Sequence, residues 1–152
     1  MFISTKGRYG TQAMLELAKH QGSGPVTLRS IAESQGLSEP YLEQLFSPLR
    51  KAGLVRSVRG AQGGYLLADD PDNITVGDIL RVLEGPIAPT VCAQRDWDGS
   101  EECCQEPDLC AMRGVWQKMR EKMEEVVDSV TLGDLSREAR KKLEERNPMF
   151  YI

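Results

Sequence analysis

Apolar positions recur at three- and four-residue spacing along the chain, and the breaks between them fall on glycine, proline or small polar residues. The first such stretch places Tyr9, Ala13, Met14, Leu17 and Ala18 on one helical face, opens at Thr5, which is suited to cap it, and breaks near Gly22. Thr27 opens a second, short helix with Leu28, Ile31 and Ala32 on one side and Gly36 as its stop. Ser38 then predicts the N-cap of a third helix reaching Ala52, with Pro40 tolerated in its first turn and Tyr41, Leu42, Leu45 and Leu49 at core spacing. Two helices joined by a tight glycine-containing turn form a helix-turn-helix pattern. Pro48 lies inside the third helix, where a missing N–H predicts a distortion and leaves its end open.

Past Gly53, the β-leaning stretches LVRSV and YLLA flank RGAQGG, which predicts a two-stranded hairpin, the wing. Thr75 caps a further helix, TVGDILRVLEG, whose Val76, Ile79, Leu80 and Leu83 form an apolar stripe. Between Gly85 and Pro107 the periodicity is lost, and a long loop carries all but one of the cysteines. Loops of that length in compact proteins are usually functional or disordered. A long helix is predicted over 109–130, with Met112, Val115, Trp116, Met119, Met123, Val126, Val127 and Val130 at spacings of three and four. So small a domain cannot cover that face, which predicts pairing with the same helix of a second subunit. Residues 132–146 read as charged and weakly helical, the chain ends NPMFYI, and no internal repeat stands out.

The expected architecture is therefore mainly α with a small β-hairpin: a winged helix-turn-helix domain over 1–84, a cysteine-bearing sensor loop over 85–107, a dimerisation helix over 108–131, and a C-terminal helix and tail over 132–152. The length of 152 residues suits one compact domain with an appendage. No apolar run approaches the roughly 20 residues of a membrane span, and MFISTKGRYG lacks an apolar signal core, so a cytoplasmic protein is expected. In that compartment four cysteines point to metal or redox chemistry rather than to a disulfide framework.

The net charge of −4 would disfavour DNA binding if it were spread evenly. It is not. From Met1 to Ala68, Lys6, Arg8, Lys19, Arg29, Arg50, Lys51, Arg56 and Arg59 face only Glu16, Glu33, Glu39 and Glu43, so the front of the chain is basic and the rear acidic. A DNA-reading module joined to a regulatory segment has this distribution. Glu43 and Gln44, near the start of the third helix, suit base edges in the major groove, where glutamine can pair adenine and glutamate can accept from cytosine.

The string SEPYLEQLFSPLRKAGLVRSVRGAQGGYLLA, preceded by ISTKGRYG, strongly resembles the Rrf-type (IscR/CymR-like) winged helix-turn-helix transcription regulators, from Met1 to about Leu135. That resemblance implies a homodimeric, sequence-specific regulator of double-stranded DNA, with a repressor as the expected form. It implies base reading by Glu43 and Gln44, a minor-groove contact by Arg59, and phosphate contacts by Lys6, Arg8, Arg50, Lys51 and Arg56. It also implies an iron-sulfur cluster, two-iron favoured over four-iron, on Cys92, Cys104 and Cys110. The cluster-bearing members place a histidine three residues after the third cysteine, where this chain has Arg113. The fourth ligand is then Cys103, a carboxylate or a residue of the second subunit. A zinc site and a metal-free thiol switch are the rival readings of the loop, although close C-x₂₋₄-C pairs are missing. His20 reads as structural or solvent-facing.

The ends of the chain, MFISTKGRYG, LEGPIAP and MFYI, resemble the family's cysteine-metabolism repressor, which lacks such a cluster and works with cysteine synthase (O-acetylserine sulfhydrylase). Phe150, Tyr151 and Ile152 would anchor such a partner through the terminal carboxylate and an apolar side chain, or else pack on the dimer itself. An enzyme is not expected, because the cysteines lack a histidine partner and neither a phosphate loop nor a catalytic carboxylate pair is evident. A cluster scaffold or carrier is the competing class.

Overall fold

The computed structural model describes residues 3–100 and 104–148. Its first three helices, α1 (Thr5–Lys19), α2 (Leu28–Gln35) and α3 (Glu39–Lys51), pack around a core in which Met14, Ile31, Leu42, Leu45, Phe46 and Leu49 are fully buried. Gly36 ends α2 at φ 65°, ψ 34°, a left-handed conformation that favours glycine, and the chain re-enters α3 two residues later through the cap of Ser38 on the Tyr41 N–H. The cap of α1 is Ser4 rather than the expected Thr5; its hydroxyl accepts from the Gly7 N–H, so the helix begins at Thr5 itself. Pro48 does not break α3. Its carbonyl accepts the Ala52 N–H at 3.0 Å, and the missing proline N–H costs only the helical donor to Gln44.

The wing is the antiparallel pair β1 (Val55–Val58) and β2 (Gly64–Leu67), with Val55 opposite Leu67 and Val58 opposite Gly64. Tyr65 ties it to the helices: its N–H and C=O both bond to Val26, and its ring lies 4.8 Å from that of Phe46. Helix α4 (Val76–Glu84) then crosses α1 and buries Ile79, Leu80 and Leu83. A single 3-10 turn, Val91–Ala93, and another, Pro107–Leu109, interrupt the stretch read as plain loop, before α5 (Ala111–Ser129) and α6 (Leu132–Arg146). The long helix therefore starts two residues later than expected, and the charged segment after it is a full helix with a capping box on Thr131 and Asp134.

An internal repeat that does not stand out along the sequence becomes evident once the two segments are seen side by side. Residues 72–81, DNITVGDILR, and 128–137, DSVTLGDLSR, match as D-x-[IV]-T-[VL]-G-D-[IL]-x-R. Each copy starts a helix with a Thr-to-Asp capping box, and the two lie side by side: Thr75 bridges Thr131, the Val76 N–H bonds to Val130 O and the Leu132 N–H to Ile74 O, both at 2.9 Å. Their charges cross over. Arg81 of the first copy holds Asp128 of the second with two bonds of 2.6 and 2.8 Å, and Arg137 of the second holds Asp72 of the first at 2.9 Å. The glycine in each copy is what permits the approach, since a Cβ at Gly77 would run into Asp128 and one at Gly133 into Asp72. This clasp joins the end of α5 and the start of α6 to the start of α4.

Candidate nucleic-acid interface and cysteine loop

On α3 the buried positions Leu42, Leu45, Phe46 and Leu49 leave the opposite side free, and Glu43, Gln44 and Arg50 lie there, exposed. They line a polar concavity of 750 Å³ with Pro40, Ser47, Pro48 and Tyr65, between α3 and the wing. Lys51 at the end of α3, and Arg56 and Arg59 on the wing, are exposed as well. Lys6 and Arg8 are exposed on the first turn of α1, with the Arg8 guanidinium 5.6 Å from the Tyr9 ring centre. Among the described residues, none of these six cations forms an ion pair within the chain. Their charge is uncompensated locally, which is the condition that phosphate contact requires. Tyr65 was not singled out by the sequence reading, because its role comes from a contact between the wing and a helix distant in sequence.

The cysteine loop is fastened at one end and open at the other. Cys92 is buried, with its Sγ 3.4 Å from Thr90 Oγ1. Arg113 Nε donates to the Cys92 carbonyl at 3.1 Å, and its guanidinium lies 4.7 Å from the centre of the Trp97 ring. Arg120 Nη1 donates to the Ala93 carbonyl at 2.7 Å. Arg95 grips Glu124 through Nε and Nη2, the shortest bond being 2.6 Å. Cys104 is exposed, and Cys110 is half-buried at the N-cap of α5; Cys103 lies outside the described residues. Among the described residues, no three His, Cys, Asp or Glu side chains are gathered to hold a metal. Arg113, at the position where a fourth ligand would be sought, instead fixes the loop backbone. His20 is exposed, its Nδ1 2.9 Å from the Glu16 carbonyl oxygen, on the solvent side as expected.

Helix α5 has an unusual interior. The residue it buries within the chain is Glu124, whereas Met112, Val115, Met119 and Val126 of its apolar face are 43–63 % exposed. Arg81, Arg95 and Arg120 surround Glu124 and compensate its charge. The arginine contacts of the loop and the burial of Glu124 were not visible in the sequence, since each pairs residues far apart with no spacing signal.

An exposed polar second helix of a helix-turn-helix, flanked by a basic hairpin, defines a winged helix-turn-helix DNA-binding protein. Comparison with known proteins goes further: the chain belongs to the Rrf2 family, iron-dependent transcriptional regulators, whose pattern matches residues 3–138. It is 54 % identical over 136 residues to the HTH-type transcriptional regulator CymR of Bacillus subtilis, covering 90 % of each chain. It is 43 % identical over 135 residues to the HTH-type transcriptional regulator IscR of Sodalis glossinidius, covering 89 % of this chain and 78 % of the relative. The structure of T. potens IscR matches with a TM-score of 0.77 at 50 % identity, over 99 % of this chain and 97 % of the other. That of CymR, the global cysteine regulator of B. subtilis, matches with 0.74 at 52 %, over 90 % and 97 %. The chain is a DNA-binding transcription regulator, and its relatives are regulators rather than enzymes. No helix among the described residues is long and apolar enough to cross a membrane.

Proposed function

We propose that this chain is a cytoplasmic, homodimeric repressor of sulfur-metabolism genes, for iron-sulfur cluster assembly or cysteine supply, and that the cysteine loop is its sensor. The observation that carries the DNA-reading half is the concavity between α3 and the wing, lined by Glu43, Gln44 and Arg50, together with exposed cations on α1, α3 and the wing that form no ion pair among the described residues. Glu43 and Gln44 read base edges, Arg59 enters the minor groove, and Lys6, Arg8, Arg50, Lys51 and Arg56 set register on phosphates. The dimer is supported by the apolar face of α5, which is continuous with an apolar groove of 540 Å³ lined by Ile3, Leu80, Ile87, Met123, Val126 and Val127. A second copy of α5 covers it, which makes the contact isologous. Mobility shift with genomic fragments tests the reading: sequence-selective retardation over competitor DNA supports it, and equal binding to all fragments refers the chain to the scaffold class.

For the sensor, the donor chemistry fits an iron-sulfur cluster. Cys92 is held at the buried end of the loop, Cys110 at the start of α5, and Cys104 stands exposed between them. A cluster on these thiolates would supply redox and iron sensitivity. The role of the chain is to hold Cys92 in place through Arg113 and to bring Cys104 toward the other two. A fourth ligand would come from Cys103 or from outside the loop. Anaerobic purification followed by visible spectroscopy and iron and sulfide assay tests this; a colourless, iron-free protein refutes it.

A second reading is favoured by the 54 % identity to CymR: cysteine-metabolism control without a cluster, in complex with cysteine synthase. Its proposed anchor, Phe150, Tyr151 and Ile152, lies outside the described residues. Calorimetry of cysteine synthase with the full chain and with a form lacking Tyr151 and Ile152 decides it. Binding by the full chain alone supports the anchor, and equal binding or none removes it.

A further inference from the structure

Arg81 stands between two carboxylates on α5. It is bidentate on Asp128, as one half of the clasp, and its Nη2 is 3.9 Å from Glu124 Oε1. Glu124 is the carboxylate to which the cysteine loop is tied through Arg95. We propose that Arg81 is a positioning residue with two stations, and that its transfer from Asp128 to Glu124 carries the state of the cysteine loop into the DNA-reading domain. The proposal rests on the reading of that loop as the sensor.

The side chain of Glu124 is only 10 % exposed, and a buried carboxylate that loses its partner is costly. Arg120 cannot replace Arg95 while it is bonded to Ala93: its Nε is 3.7 Å from Glu124 and makes no hydrogen bond, and its Nη1 is committed to the Ala93 carbonyl. Ala93 lies two residues before Arg95, so withdrawal of the Arg95 side chain alone leaves Arg120 committed to the Ala93 carbonyl. The nearest remaining guanidinium on another element is Arg81. Asp128, with its side chain 43 % exposed, can be left to water at little cost, whereas Glu124 cannot. Movement of Arg81 toward Glu124 therefore opens one half of the clasp. Arg137 on Asp72 and the main-chain bonds at Thr75 and Thr131 remain. Helix α4, which carries Arg81, is then held less firmly against the α5–α6 corner. It also carries Glu84, whose carboxylate accepts from the Ser4 and Gly7 N–H groups at the start of α1, where Lys6 and Arg8 lie. A path of bonded groups thus runs from the loop to the DNA-facing end of α1.

The test needs no cofactor, because Arg95→Ala removes the Arg95 contact to Glu124 while the Arg120 bond to Ala93 stays in place. Hydrogen exchange over residues 76–84 is measured in the full-length wild type, Arg95→Ala, Glu124→Gln and the double variant, with operator affinity on the same four proteins. Arg95→Ala should raise exchange in α4 by about 3- to 10-fold, and should have no such effect when Glu124→Gln has removed the charge that draws Arg81. Should Glu124→Gln fail to fold, Asp128→Asn replaces it: the clasp half is then already open, and Arg95→Ala should add nothing. Unchanged exchange in Arg95→Ala, or an equal rise in both backgrounds, overturns the switch. Exchange that moves as expected while affinity stays constant in all four overturns its link to DNA. If exchange moves and none of the four binds DNA selectively, the regulator reading fails and the switch within the fold stands.

Discussion

Replacing Gly77 by alanine should forfeit the stabilisation that the same replacement brings in an open helix. Gly77 lies in the first turn of α4, where a Cβ would run into Asp128 Oδ1 and approach Arg81 Nη1 to 2.8 Å. Alanine gains up to about 1 kcal/mol over glycine in a helix interior. Against this stands displacement of the Asp128 and Arg81 side-chain ends, which are half-exposed and can swing aside, so the cost is loss of their ion pair, about 0.5–1 kcal/mol. The net expectation is a change close to zero. Gly114 is the internal control: it lies in α5 on the row of Lys118, Glu121 and Glu125, and a Cβ there meets nothing within 4 Å. Gly114→Ala should stabilise by about 0.5–1 kcal/mol, so the two variants should differ by a few degrees in Tm. Thermal and urea unfolding at one fixed protein concentration, which a dimer requires, reads the difference. If Gly77→Ala were as stable as Gly114→Ala, the close approach of the clasp would be wrong.

Three further outcomes are expected. Met119→Glu would place a carboxylate on the α5 face of each subunit, losing about 1 kcal/mol of apolar burial per copy and adding a desolvation penalty, so sedimentation should show a dimer at least about 100-fold weaker; an unchanged dimer refutes the α5 interface. Arg81 holds the Asp128 carboxyl below the ordinary aspartate value of 3.8, and the Thr131 N–H does the same for Asp134. Because both folded values are depressed, their stabilisation is complete above the unfolded value and is lost as pH falls through the folded ones: stability should be flat from about pH 7 to about pH 5 with respect to these groups and fall below about pH 4, and Asp128→Asn should make that acid slope shallower. An identical slope in Asp128→Asn removes the pair from the account. Cys92→Ala, Cys104→Ala and Cys110→Ala should each abolish the visible absorbance of anaerobically prepared protein while sedimentation still shows a dimer; absorbance that survives one of them excludes that thiol as a ligand.

What the sequence disclosed follows the range of the interactions. Thr27, Gly36, Ser38 and Thr75 act on neighbours within a turn, so their caps and stops were legible from residue type and spacing. Ser4 was missed by one position, since two adjacent hydroxyl residues both suit a cap and the bond to Gly7 selects between them. The clasp was overlooked because its two copies lie far apart, and each looks like an ordinary helix start until Arg81 and Asp128 are seen to cross. Helix α5 was legible in its period and in the apolar face it leaves exposed at Met112, Val115, Met119 and Val126, but not in the buried Glu124 that three arginines hold. The exposure of Glu43, Gln44 and Arg50 was readable because the core spacing of α3 leaves them on the other side.

The central claim is that α3 reads sequence while the flanking cations bind phosphate. Fluorescence anisotropy on the best-bound genomic fragment and on a set of single-base variants, with wild type, Glu43→Ala, Gln44→Ala and Arg50→Ala, tests it most directly. Glu43→Ala and Gln44→Ala should erase about 1–3 kcal/mol of discrimination at particular bases, whereas Arg50→Ala should weaken all fragments alike and lower the salt dependence by about one counterion. Equal loss on every fragment for all three variants, or no selectivity in the wild type, would contradict the account.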